Sequence, residues 1–222
     1  MNGSVLIVED HELLAQSLVF ALRAEGVQAE TLRPDSTEQI LKTAEELRPT
    51  VVLLDLELGG DIGDSIELIA PLDELGAQVM MVTGVTDRVR LAECLEAGAT
   101  GLINKSTPFA ELVQSVQEVV ELGTLIPPAQ RQELLGELRR QRAADRERLA
   151  PFERLTHREQ QVLGGLVEGK SAEKIAEEYF VSLATVRSQI RAILLKLDVN
   201  SQLAAVALAR QSDWEAPPAD PS

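Results

Sequence analysis

Five short apolar runs alternate with helical stretches over the first half of the chain, and this alternation limits the possible folds more than any other feature. The runs are Val5 to Val8, Val27 to Leu32, Val51 to Leu54, Val79 to Val82 and Gly101 to Ile103. Runs dominated by Val, Ile and Leu are what strands covered on both faces require. Between them, helices are expected over Glu12 to Ala24, Ser36 to Leu47, Asp64 to Leu75, Asp87 to Ala97 and Pro108 to Leu122. Gly26 and Gly98 stand where two of these helices must close. The simple architecture for such a series of β-α units is a doubly wound, five-stranded parallel sheet.

In a sheet of that kind the C-terminal strand ends converge on one edge, where ligands bind. Glu9 and Asp10 follow the first run, Asp55 the third, Thr83 the fourth and Lys105 the fifth. These residues predict a pocket for phosphate and magnesium. Mg²⁺ takes oxygen ligands, commonly one or two carboxylates with water and phosphate oxygens, and Asp10 and Asp55 can supply them. A carboxylate is also a nucleophile toward phosphorus once cations offset charge repulsion. Lys105 and the metal supply that positive charge, and the Thr83 hydroxyl, with Gly84 leaving room beside it, is placed to sense a phosphoryl group. A single acid at a strand end is often a loop residue or a cap, so the combination carries the reading. Glu57 is expected to offer its backbone carbonyl, His11 to be an exposed side chain, and Cys94, the only cysteine, to be a half-buried helical residue without a function.

The 222 residues carry 45% hydrophobic and 26% charged side chains, enough for two ordinary domains. No apolar stretch reaches the roughly 20 residues that span a bilayer, and the first residues lead into a strand without a basic leader; a soluble cytoplasmic protein is expected. The formal net charge is −15. Residues 1–125 hold 7 Lys/Arg against 22 Asp/Glu, whereas residues 126–222 hold 14 of each. The excess acid lies in the first half, so the second half must be judged on its local helices.

From Pro127 to about Phe152 the chain is rich in Arg, Gln, Glu, Leu and Ala, with Leu134, Leu138 and Leu149 too sparse for a heptad seam. A solvated connecting helix is expected, a short dimer contact being the sharper alternative. Four helical segments follow over 155–211. Thr156 with Glu159 forms a capping box, and Ser171, Ser182 and Ser201 stand as N-caps. Segments this short must share one core. The second and third, separated by Phe180 to Ser182, have helix-turn-helix spacing. Beyond Ser212 a disordered tail is expected.

The motifs VLIVED, VVLLDL, MMVTG and GLINK resemble the strand-end motifs of the receiver domain of two-component response regulators. The resemblance covers residues 4 to about 122 and implies a flavodoxin-like fold. It implies that Asp55 accepts phosphoryl from a sensor histidine kinase, that Glu9 and Asp10 hold Mg²⁺ directly or through water, and that Thr83 and Lys105 read the phosphorylated state. The sequence departs from the family at Gly59 and Gly60, where a proline usually stands, and at Leu102, where the family usually has an aromatic ring that swings inward. An aliphatic side chain has no ring to swing.

The segment LTHREQQVLGGLVEGKSAEKIAEEYFVSLATVRSQIRAILLKLDVNS resembles the LuxR-type output domain and places Thr185 and Val186 in its recognition helix. On a helical wheel Val186, Ile190, Ile193, Leu194 and Leu197 share a core face, with Ser188 and Arg191 opposite and Arg187 at the edge. Thr185, Arg187, Ser188, Arg191 and Lys196 are the expected DNA contacts. Gln189 and Gln202 replace the family's usual His and Arg, and Leu195 faces away from the core.

The resulting expectation is a receiver over 1–124, a helical linker over 125–152, a four-helix LuxR-type helix-turn-helix domain of the NarL/FixJ class over 153–212 and a tail over 213–222. It would be a DNA-binding transcription regulator, not an enzyme, switched by phosphorylation of Asp55. Its partners would be the kinase, double-stranded DNA and a second copy when active, with no membrane. Three rivals have specific features against them. A phosphorylation-independent regulator using its receiver for protein or ligand contacts is opposed by the intact acid set. An aspartate-nucleophile phosphohydrolase lacks a well-placed second carboxylate, and a nucleotide-binding fold lacks a glycine loop after the first strand.

Overall fold

A computed structural model describes residues 3–60, 62–123 and 126–217, with the Leu122 side chain left out. The chain divides into two compact units, residues 1–140 and 141–222. In the first, β1 (Ser4–Val8), β2 (Gln28–Leu32), β3 (Val51–Asp55), β6 (Gln78–Thr83) and β7 (Gly101–Asn104) form one sheet in the order β2-β1-β3-β6-β7. All its neighbouring pairs are parallel. The central strand β3 is buried at every residue, as its VVLLD sequence requires. The edge strand β2 buries only Ala29, and the Arg23 Nε donates to the Ala29 carbonyl at 3.0 Å, occupying one acceptor of that edge.

The pleat divides the strand residues between two cores. Val5, Ile7, Leu53 and Met80 pack with Leu18 and Leu22 of α1 (Glu12–Ala24) and with Leu112 and Val116 of α5 (Phe109–Leu122). Leu6, Val52, Leu54 and Met81 pack with Ile40 of α2 (Thr37–Leu47), Ile69 and Leu72 of α3 (Ile69–Glu74) and Leu95 of α4 (Arg88–Ala97). Cys94 lies fully buried in that second core, and burial pushes its thiol up to about 11.

The expected helix over Asp64 to Leu75 begins later. Glu57–Leu58 (β4) and Gly63–Asp64 (β5) pair as a small antiparallel hairpin, followed by a 3₁₀ turn at Ile66–Leu68 before α3 starts. Gly60 and Gly63 take left-handed backbone angles there, which their lack of Cβ permits. The buried Ser65 hydroxyl donates to the Asp55 carbonyl at 2.6 Å, so the hairpin is pinned to the end of β3.

The connecting helix α6 (Pro128–Glu153) is not solvated along its whole length. Leu134 and Leu138 are 4% and 1% exposed and join the core of the first unit together with Ile126. Arg131 donates to the Leu95 and Ala99 carbonyls at the end of α4, at 2.6 and 3.0 Å. Arg88 at the start of α4 pairs with Glu137 at 2.7 Å and Glu133 at 2.9 Å. Sparse leucines fail as a heptad seam yet suffice to seat one short helical face on a globular core.

The second unit comprises the end of α6 with α7 (His157–Val167), α8 (Ala172–Glu178), α9 (Leu183–Lys196) and α10 (Gln202–Gln211). The capping box at Thr156 and Glu159 forms as expected, and Ser171, Ser182 and Ser201 each accept a backbone N–H. Phe152, Val162, Ile175, Val186, Ile193 and Ala205 build the core. Of the tail expected from 213 onward, residues 213–217 lie within the described residues: Trp214 stacks on Phe152 with ring centroids 5.3 Å apart, and Ala216 occupies the space beside Gly164, where a Cβ would come within 2.6 Å. Residues 218–222 lie outside the described residues. Among the described residues no helix is long and apolar enough to cross a membrane.

Candidate functional site

Register brings the sequence-predicted acids together. Val8 pairs with Leu54, so Glu9 and Asp55 leave adjacent strands side by side, and Asp55 in turn pairs with Val82, one residue before Thr83. Thr83 pairs with Asn104, which delivers Lys105 to the same edge. The Lys105 ammonium lies 2.7 Å from Asp55 and 2.9 Å from Glu9. Glu9, Asp55 and Thr83 are buried to within 3% of complete exclusion.

The Asp55 carboxylate is held on both oxygens: Lys105 donates to Oδ2 at 2.7 Å, and the Glu57 backbone N–H donates to Oδ1 at 3.2 Å. Burial, and then the charge of Glu9, push its carboxyl above the usual range even though Lys105 opposes them. Burial works against the Lys105 charge, but its bonds to Asp55 and Glu9 hold its ammonium above the usual lysine value. Burial also opposes ionisation of Asp10, and hydrogen bonding with Glu9 and the neighbouring His11 and Lys105 outweigh it, keeping this carboxyl low. The Thr83 hydroxyl accepts from the Val85 N–H at 3.0 Å.

One feature escaped the sequence reading. His11 is largely exposed as expected, yet its Nδ1 turns back to 2.9 Å from Glu9 and 2.8 Å from Asp10. The hydrogen bond to Glu9 and the charge of Asp10 raise its pKa. Only strand-end crowding of carboxylates could have hinted at that rotamer.

Glu9, Asp10, His11 and Asp55 each bring one ligand atom within 4.8 Å of the others. The donors fit a hard cation. Three carboxylates against the one Lys105 ammonium leave two negative charges, the amount a divalent ion neutralises. Asp10 Oδ1 is buried and receives no well-directed hydrogen bond, its His11 contact being ionic only. Gly59 adds room, since a Cβ there would come within 2.9 Å of Asp10 Oδ2.

In the second unit, Thr185, Arg187, Ser188 and Arg191 lie exposed along α9, opposite the buried Val186, Ile190 and Ile193. Arg187 rests 3.4 Å from Glu173 of α8. The Lys196 ammonium lies 2.6 Å from Glu159, inside the capping box of α7, because the end of α9 packs against the start of α7. It serves the packing of the domain. Leu195 is 83% exposed, as the helical wheel placed it.

The family model described as response regulator receiver domain matches residues 5–117, and that of bacterial regulatory proteins of the LuxR family matches residues 153–209. The virulence factors putative positive transcription regulator BvgA of Bordetella pertussis is 30% identical over 217 residues, covering 96% of this chain and 99% of its own. Transcriptional regulatory protein LiaR of Bacillus subtilis is 29% identical, covering 94% and 97%. Among solved structures, the response regulator RcsB in complex with DNA shares the fold, with a TM-score of 0.51 at 22% identity over 95% of this chain and 98% of its own.

Proposed function

Because this chain belongs to the two-component response regulators, with a receiver domain and a LuxR-type DNA-binding domain, we propose that Asp55 is its phosphoacceptor and that phosphorylation controls its binding to promoter DNA. The observation that carries this reading is the Asp55 carboxylate, buried among Glu9, Asp10 and Lys105 at the end of β3. A carboxylate oxygen of Asp55 attacks the phosphorus of a phosphohistidine on a sensor kinase. The new P–O bond forms as the P–N bond breaks, and the departing imidazole nitrogen takes the electron pair.

Lys105 offsets the negative charge gathered on the transferring group. Glu9, Asp10, Asp55 and the Glu57 carbonyl would hold Mg²⁺, which when bound adds further charge neutralisation. Thr83, whose hydroxyl now accepts only from its own turn, is placed to engage a phosphoryl oxygen. Thr185, Arg187, Ser188 and Arg191 form the DNA-reading face, Arg and Ser being able to bond guanine edges or phosphates. The active form is a homodimer on inverted half-sites, since two linked modules convert weak single contacts into tight binding. The protein acts in the cytoplasm, where its DNA is.

Incubation with acetyl phosphate and Mg²⁺, read by intact mass, tests the pocket. One phosphoryl adduct on the wild type and none on Asp55→Ala is expected, with tighter promoter binding by the wild type only. Equal promoter binding by both proteins, with and without donor, would overturn the reading.

A further inference from the structure

The face of α4 is filled by the chain's own residues 126–138, and a continuous set of contacts joins that face to Asp55. Leu134 and Leu138 of α6 are buried in the core beside α4, and Arg131 occupies the Leu95 and Ala99 carbonyls at the end of that helix. At its start Arg88 reaches Glu133 and Glu137. The clasp therefore grips α4 at both ends. From the other direction, the Glu57 N–H is bonded to the Asp55 carboxylate and the Ser65 hydroxyl to the Asp55 carbonyl. Glu57 and Asp64 are paired across the hairpin, and Asp64 forms an ion pair with Arg90 of α4. Leu102 offers no ring for an aromatic coupling through β7.

We infer that the segment 128–138 is a cis-acting clasp on α4 that phosphorylation of Asp55 loosens through the β4–β5 hairpin. The inference rests on the reading of Asp55 as phosphoacceptor. With acetyl phosphate as donor, an Asp55 oxygen forms a bond to phosphorus, the donor's P–O bond breaks and acetate leaves with the electron pair. Both Asp55 oxygens carry a hydrogen bond beforehand, so forming the acyl phosphate on either oxygen disturbs one of them. The Glu57 N–H is the hairpin's own bond to the Asp55 carboxylate, so a change at that carboxylate is felt directly by β4. Arg90 follows Asp64, and a shift of α4 misaligns the Arg88 pairs and the carbonyls held by Arg131. The surface ion pairs at Arg88 are individually weak, so their geometry sets which arrangement prevails rather than supplying the adhesion, which comes from Leu134 and Leu138.

Hydrogen exchange on the full chain, with and without acetyl phosphate and Mg²⁺, tests this, with intact mass followed in parallel. Amides of 128–138 in the wild type should exchange roughly tenfold faster once the adduct is present. Ser65→Ala should still acquire the adduct yet lose most of that acceleration. Arg88→Glu should show fast exchange without donor, and combining it with Glu133→Arg and Glu137→Arg should restore protection, which a merely damaged fold would not do. An adduct on the wild type with unchanged exchange over 128–138 overturns the clasp as a switch while leaving Asp55 as phosphoacceptor. Absence of any adduct overturns the phosphoacceptor reading, and the coupling with it.

Discussion

At the scale of single residues, Asp55 is held in a state that costs stability until something neutralises it. Its carboxyl lies above the usual range because burial and Glu9 oppose its charge. The folded chain thus binds that proton more tightly than the unfolded chain, and stability falls as pH rises from 3.8 through the raised value. Asp55→Asn removes the buried charge and should raise the melting temperature of the receiver at pH 7, by about 2–4 °C for each 1 kcal/mol regained, measured by calorimetry. Gly59 is the second sensitive position. Gly59→Ala places a Cβ 2.9 Å from Asp10 Oδ2 and displaces that carboxylate; titration calorimetry should show Mg²⁺ affinity lowered by roughly tenfold. The pocket residues were legible in the sequence because each follows an apolar run, and strand polarity then leaves little choice of where they meet. The inward turn of His11 and the role of Lys196 were not, since both depend on rotamers and helix packing that no one-dimensional spacing encodes.

At the scale of elements, strands and capped helices were readable because they obey local rules, whereas the β4–β5 hairpin and the seat of α6 depend on distant partners. The hairpin falls among Gly59, Gly60 and Gly63, where turn chemistry rather than periodicity decides. The burial of α6 in the first core rests on Leu134 and Leu138, a spacing that resembles an exposed helix until the core beneath it is known. Leu138→Ala should destabilise the receiver by about 2–5 kcal/mol, as a core truncation does, where a solvated linker would show almost nothing; chemical denaturation checks it. In the second unit Glu159 joins α7 to α9. Burial opposes its charge, but Lys196 and the Thr156 backbone and hydroxyl outweigh it and lower its pKa. Its contribution is complete above the unfolded value of 4.5 and is lost as pH falls through the lowered folded value. Glu159→Ala should cost about 2 kcal/mol at pH 7, and the loss should shrink toward acid pH when unfolding is followed by Trp214 fluorescence.

At the scale of the whole molecule, charge is divided between the units. Residues 1–125 hold the acid excess, and residues 126–222 are balanced, so attraction to DNA on the proposed reading depends on local basic side chains such as those of α9. Arg191→Ala should weaken binding to promoter fragments and reduce the slope of log affinity against log salt by about 1 if the side chain meets a phosphate, as a salt series of binding isotherms would report. The chain divides into two units at about residue 140; residues expected in a separate linker from 125 contribute to the first core as far as Leu138, and Trp214 packs against the second. A fragment that ends at 124 strips the receiver of buried side chains. The solitary Cys94 also matters for experiments on the intact chain. With its thiol fully enclosed and pushed up to about 11, only about one in ten thousand is thiolate at neutral pH. A cysteine introduced at any exposed position would therefore take a fluorophore or spin label by itself, so inter-residue distances across the switch can be tracked without first removing the native sulfur.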